Sequence, residues 1–125
     1  MTTVPPIDRH FTSGNMNLHY LDWGNEGATP LLLLHHISSN AHTWDEFASR
    51  MRESYHVLAL DMRGHGDSDW AGEGNYTTEH YADDVASLVN SRGLEGVIIL
   101  GGSTGGRVGL VYAAQYPEKG SGLIM

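Results

Sequence analysis

The chain has 125 residues, 40% of them hydrophobic, carries a net charge of −8 and contains no cysteine. That apolar content supports the core of one domain, or of part of one, and the length is too short for two. The acidic balance, with no basic run, argues against nucleic acid and anionic membrane surfaces as partners, and the missing cysteines exclude disulfides, thiolate metal sites and a cysteine nucleophile.

The N-terminal stretch Met1 to Pro6 has neither the basic nor the apolar region of a secretion leader. The longest aliphatic run, Leu31 to Leu34, is far too short to span a bilayer. The expectation is a soluble cytoplasmic protein. Residues 10–23 read as a β-hairpin turned at Ser13-Gly14-Asn15, with Met16, Leu18 and Tyr20 alternating with Asn17 and His19. Solid apolar runs follow at Leu31–Leu34, Val57–Leu60 and Val97–Leu100, and another begins at Leu123. Such runs suit strands covered on both faces, as in a parallel sheet.

Amphipathic stretches separate the runs. Thr43 to Tyr55 reads as a helix opened by a Thr43-x-x-Glu46 capping box, with Trp44, Phe47 and Met51 on its apolar face. Thr77 to Arg92 is a second, with Tyr81, Val85, Leu88 and Val89 facing inward and Gly93 just past its end. Thr104 to Tyr116 is a third, with Val108, Val111 and Tyr112 inward and Pro117 closing it. A hairpin followed by repeated strand–helix units predicts an α/β fold: a mostly parallel twisted sheet with helices on both faces. Ligands in such sheets gather at the carboxyl ends of the strands, here the loops 35–42, 61–76 and 101–106.

The last of these loops, Gly101-Gly102-Ser103-Thr104-Gly105-Gly106, runs from a strand straight into a helix. G-x-S-x-G in that setting places a serine on a tight turn, with its hydroxyl clear of the sheet. Positions two before and two after the serine crowd each other, so both must be small, and Gly101 and Gly105 fill those places. The helix end beyond supplies free N–H groups, that of Thr104 among them, as donors to an oxyanion. A phosphate-binding loop is the rival reading of Gly101 to Val108. It lacks the lysine and the hydroxyl that such a loop needs.

Several other groups invite a chemical role. Asp61, Arg63 and Asp67 read better as a charged turn held by its own hydrogen bonds than as an acid–base set. Asp83-Asp84 reads as a solvated helix face. Trp44 fits a core position, and Trp70 sits in a glycine-rich loop. His35, His36 and His42 have no familiar metal-ligand spacing, so no metal is expected.

Three blocks, in order, carry a resemblance. Leu31-Leu32-Leu33-Leu34-His35-His36, Asp61 to Asp69 (D-M-R-G-H-G-D-S-D) and Gly101 to Gly105 are similar to the corresponding segments of the α/β-hydrolase superfamily. Tyr112 to Glu118 is similar to the helix end behind the nucleophile. The resemblance implies an eight-stranded, mostly parallel sheet whose second strand is antiparallel. It also implies Ser–His–acid catalysis without a cofactor, on a small-molecule substrate. By position, Ser103 is the nucleophile, and the backbone N–H groups of Ile37 and Thr104 form the oxyanion hole. His35 and His65 take structural roles.

Two departures stand out. His36 replaces a usual glycine and is expected to line the pocket rather than act as a makeshift base. The family's acid and histidine both follow the nucleophile, and no residue here matches either. Residues 1–125 are therefore expected to be the N-terminal part of a single hydrolase domain, lacking cap and C-terminal portion and inactive alone. A carboxylic ester is the first substrate expectation, with amide or C–C bond hydrolysis as the alternative subtype. A catalytically dead short chain that binds or complements a partner is the alternative from another class. The serine argues against dehalogenase and epoxide-hydrolase chemistry, which uses an aspartate nucleophile in this fold.

Overall fold

The computed structural model describes residues 4–125. Met1 to Thr3, half of the stretch read as lacking a leader, lie outside the described residues. Strands β1 (Ile7–Ser13), β2 (Met16–Asp22), β3 (Pro30–Leu34), β4 (His56–Leu60), β5 (Val97–Gly101) and β6 (Gly120–Ile124) form one sheet in the order β1-β2-β4-β3-β5-β6. β2 is antiparallel to both neighbours, and the pairs β3–β4, β3–β5 and β5–β6 are parallel. Helices α1 (Asp45–Met51), α2 (Thr78–Arg92) and α3 (Thr104–Gln115) make the crossovers. The expected α/β architecture is thus present.

The runs at Leu31–Leu34, Val57–Leu60 and Val97–Leu100 became interior strands, whereas the run beginning at Leu123 lies in β6, an edge strand that is largely exposed because nothing pairs with its outer side among the described residues. Leu31 to Leu34 and all of β4 are buried, because each strand has a neighbour on both edges and packing on both faces. One face packs Leu32, Leu34, Leu58 and Leu60 against Val85, Leu88, Val108 and Tyr112 of α2 and α3. The other packs Leu31, Leu33, Val57 and Ala59 against Ala48 of α1, with Trp44 and Met51 beside it. Each fully buried leucine contributes about 1.5–3 kcal/mol of transfer free energy. Among the described residues, no helix is long and apolar enough to cross a membrane.

Three local expectations need correction. The Thr43–Glu46 capping box does not form. Asn40 instead caps a 3₁₀ turn, Ala41–Trp44, its side chain accepting the His42 N–H, and α1 starts only at Asp45 with no side-chain cap. Phe47, placed on the apolar face, is on the exposed side. His19 was placed on the polar face of a half-exposed hairpin, yet Leu18 to Asp22 are all buried. β4 pairs with the far edge of β2 and turns it into an interior strand. The second helix behaves as read, with a capping box between Thr77 and His80 and Gly93 at φ +62° closing it.

A further correction concerns Asp84, which is buried rather than solvated. Arg63 Nε and one Nη donate to its two carboxylate oxygens, each at 2.7 Å, and the Ser13 hydroxyl donates to it at 2.7 Å. The other Arg63 Nη donates to the carbonyl of Asn75 at 2.9 Å. The bond to Asp84 raises the guanidinium's pKa further, against the opposing effect of burial. Asp83, its neighbour, is exposed as expected.

Candidate active site

β5 ends at Gly101, and α3 begins at Thr104, leaving Gly102 and Ser103 to make the turn. Ser103 has φ +55° and ψ −117°. Positive φ is a sparsely populated region for a residue with a side chain and costs on the order of 1–3 kcal/mol. The neighbouring packing enforces it. A Cβ on Gly101 would stand 2.4 Å from the carbonyl carbon of Gly105, and a Cβ on Gly105 would stand 2.3 Å from the carbonyl oxygen of Leu34. Further along α3, a Cβ on Gly109 would meet Leu123 at 2.8 Å and Ile99 at 3.0 Å, so the helix lies directly on β5 and β6. Ser103 itself is exposed.

The same contacts bring two loops together. β3 pairs with β5 with Leu34 opposite Gly101, so residues 35–37 and 102–104 leave the sheet side by side. Thr104 is the first residue of α3, one of the positions whose N–H a helix cannot satisfy internally. Ile37 is half exposed in the neighbouring loop, and Ser38 after it has φ +67°. Among the described residues, no acceptor takes the N–H of Ile37 or of Thr104. The arrangement offers an exposed hydroxyl at a helix N-terminus, with the unpaired Thr104 N–H next to it and the unpaired Ile37 N–H in the neighbouring loop.

Histidines and one aspartate hold the 35–42 loop. The His35 Nδ1–H donates to the carbonyl of His36 at 2.9 Å, and its Nε2 accepts the Met62 N–H at 3.0 Å. Burial, joined by the nearby His65 and His36, pushes the His35 imidazole below its usual pKa, which suits this neutral tautomer. The His65 Nδ1–H donates to the carbonyl of Arg63 at 3.0 Å, and its Nε2 accepts the Ser38 N–H at 3.1 Å. His36 is exposed, with its Nδ1–H on the carbonyl of Ile37 at 2.9 Å. Buried Asp61 accepts the Ala41 N–H at 2.7 Å on one oxygen. Its other oxygen accepts the Asp67 N–H at 3.0 Å and the His19 Nδ1–H at 2.7 Å. Asp61 and Arg63 are thus committed to partners within the fold, as the charged-turn reading expects, although those partners reach well beyond the turn.

Among the described residues, the Ser103 hydroxyl has no hydrogen-bonded histidine or carboxylate. A polar cleft of about 510 Å³ lies elsewhere, lined by Ser13, Arg63, Trp70, Asn75, Asp83 and Ser87. Trp70 is 81% exposed at its rim. Reading the sequence missed the buried His19–Asp61 pair, whose partners lie 42 residues apart. The one available signal was that Leu21 and Trp23, which share the strand face of His19, are apolar.

The family model for the alpha/beta hydrolase fold matches residues 29–125. A bifunctional esterase/perhydrolase from Acinetobacter calcoaceticus is 38% identical over 111 residues, covering 86% of this chain and 39% of its own. A 2-(acetamidomethylene)succinate hydrolase from Mesorhizobium japonicum is 34% identical over 113 residues, covering 90% and 39%. Among solved structures, a bacterial membrane phospholipase A superposes with TM-score 0.90 at 32% identity, over 95% of this chain and 38% of that one. The chain thus spans roughly two fifths of the length of these relatives.

Proposed function

Because the chain belongs to the alpha/beta hydrolase fold family, we propose that it carries the nucleophile and oxyanion half of a serine hydrolase site. In this reading Ser103 Oγ attacks the carbonyl carbon of an acyl substrate while a histidine takes its proton. The negative charge that develops on the carbonyl oxygen is met by the N–H groups of Ile37 and Thr104. The tetrahedral intermediate collapses to an acyl-Ser103 ester, and the same histidine returns the proton to the departing alcohol. Water then attacks the acyl-enzyme with the histidine again as base, which releases the acid and restores Ser103. The histidine and its orienting acid come from polypeptide beyond residues 1–125, which form the N-terminal part of the domain. No cofactor enters the scheme. His36 lines the acyl pocket beside the oxyanion donors.

One observation carries this reading: Ser103 sits at φ +55° between a strand and a helix, with the adjacent Thr104 N–H unpaired at the helix start. Such strain persists only where its surroundings hold it in place, and it concentrates at functional sites. A carboxylic ester is the favoured substrate, since an esterase is among the relatives. The test uses the full-length protein, a fluorophosphonate probe and a p-nitrophenyl acyl ester. The probe is expected on Ser103 alone. Ser103→Ala is expected to abolish labelling and to lower kcat by on the order of a million-fold. Labelling of another residue, or turnover that survives Ser103→Ala, would sink the proposal. Residues 1–125 on their own are expected to show negligible turnover.

A further inference from the structure

Away from Ser103, the fold gathers Asp8 of β1, His19 of β2 and Asp67 of the turn after β4. One ligand-type atom from each lies within 4.8 Å of the others. The His19 side chain is 2% exposed, whereas that of Asp8 is 68% exposed and Asp67 is at the surface. The His19 Nδ1–H donates to Asp61, a carboxylate that also accepts two backbone N–H groups and so offers only acceptors. That bond commits Nδ1 to Asp61 and leaves Nε2 as the nitrogen turned toward Asp8. Nε2 faces Asp8 Oδ1 at 2.7 Å. An imidazole nitrogen and a carboxylate oxygen meet at that distance with either a proton carried by Nε2 or a metal ion between them.

We propose that Asp8, His19 and Asp67 bind a divalent transition-metal ion of the zinc class, with Asp61 as the carboxylate that orients His19. A ligating histidine whose other ring nitrogen donates to a buried carboxylate is the recurring support for such ions. The imidazole nitrogen selects zinc-class metals over calcium and magnesium, which take oxygen ligands. Zinc holds these ligands at about 2.0–2.2 Å, so tetrahedral neighbours stand about 3.4 Å apart. The exposed carboxylates of Asp8 and Asp67 supply the adjustment, since the buried imidazole is fixed. A water fills the fourth position on the open side. The ion would tie β1, β2 and the turn after β4 together, independently of any chemistry at Ser103.

A second cluster, Asp22, Glu26 and His56, is a weaker candidate. Arg9 and Arg92 already supply the positive charge there, at 2.7 and 3.1 Å from Asp22 and 3.0 Å from Glu26.

The test titrates zinc into chelator-stripped full-length protein by calorimetry, with visible absorption of the cobalt-substituted form as a second readout. One equivalent is expected to bind and to raise the thermal midpoint. Asp8→Asn and Asp67→Asn alter exposed groups and leave the circular dichroism spectrum unchanged, and each is expected to weaken zinc at least about tenfold. His42→Ala, which removes the exposed His42–Asp45 pair, is expected to leave affinity unchanged. The proposal is overturned if the protein binds no equivalent, which would leave a proton as the only bridge. It is also overturned if the Asp8→Asn/Asp67→Asn double variant binds as tightly as the parent, or if His42→Ala is the variant that loses binding.

Discussion

Replacing Asp84 with asparagine keeps its shape and removes its charge. The partner Arg63 is then a guanidinium with a side chain only 9% exposed and no counterion. One of the two 2.7 Å bonds is lost, since the amide nitrogen now faces a donor, and the other weakens because its acceptor becomes a neutral amide oxygen. Breaking one side of a buried pair costs about 3–5 kcal/mol, mostly because the surviving charge stays desolvated. With a urea m-value of about 1.5–2 kcal/mol/M, the midpoint should fall by about 2 M. Removing both charges tells a different story. In Arg63→Met/Asp84→Leu, the Ser13 hydroxyl keeps Ser87 as a partner at 3.0 Å, and exposed Asn75 turns its carbonyl to water. The double variant should therefore lie within about 1–2 kcal/mol of the parent. Urea titrations of the four proteins close a double-mutant cycle. A single-variant cost below about 1 kcal/mol, or a double variant as unstable as the sum of the singles, would refute the argument that desolvation dominates here.

Gly105→Ala should destabilise by about 3 kcal/mol or more, because its Cβ meets backbone at 2.3 Å, whereas Gly102→Ala, with nothing within 4 Å, should cost less than about 1 kcal/mol; paired thermal melts check both. His35→Ala strips the Met62 N–H and the His36 carbonyl of their partner and should cost about 2–4 kcal/mol, with amide exchange at Met62 accelerated in hydrogen-exchange measurements. Burial raises the Asp22 carboxyl, but bonds from His56, the Gly24 N–H, Arg9 and Arg92 outweigh it and hold the group well below the usual carboxylate range. A depressed folded pKa gives stability that is complete above the unfolded value of about 4 and is lost as pH falls below it. Asp22→Asn should therefore flatten the decline of stability between about pH 4 and pH 2, and an unchanged slope would contradict the assignment.

What the sequence made legible follows from where burial leaves a periodic trace. Leu31–Leu34, Val57–Leu60 and Val97–Leu100 stood out because interior strands of a parallel sheet need apolar residues on both faces. Gly101 and Gly105 stood out because the crowding at the turn admits no Cβ, a constraint local enough to read along the chain. Asp84 and His19 were misjudged for the opposite reason. Their partners, Arg63 at 21 residues and Asp61 at 42, are set by tertiary packing that no local pattern encodes. The start of α1 was misplaced because Thr43 and Glu46 match a cap pattern that Asn40, three residues earlier, pre-empted with its own. The proposed roles of Ser103, Ile37 and Thr104 came from the resemblance rather than from any local pattern, apart from the glycine-flanked turn and following helix start that singled out Ser103 and Thr104.

The order β2-β4-β3 also has a temporal side. β4 follows both of its neighbours in the chain yet lies between them, so a slot must stay open until it arrives. Asp61, at its end, then closes contacts with His19 and Ala41 across 42 and 20 residues. Contacts of such separation form only after the chain has met the entropy of closing the intervening loops. The Asp61 bond that holds Ala41 therefore forms only once β4 has taken its place between β2 and β3, so order in the 35–42 loop depends on the middle of the sheet being filled.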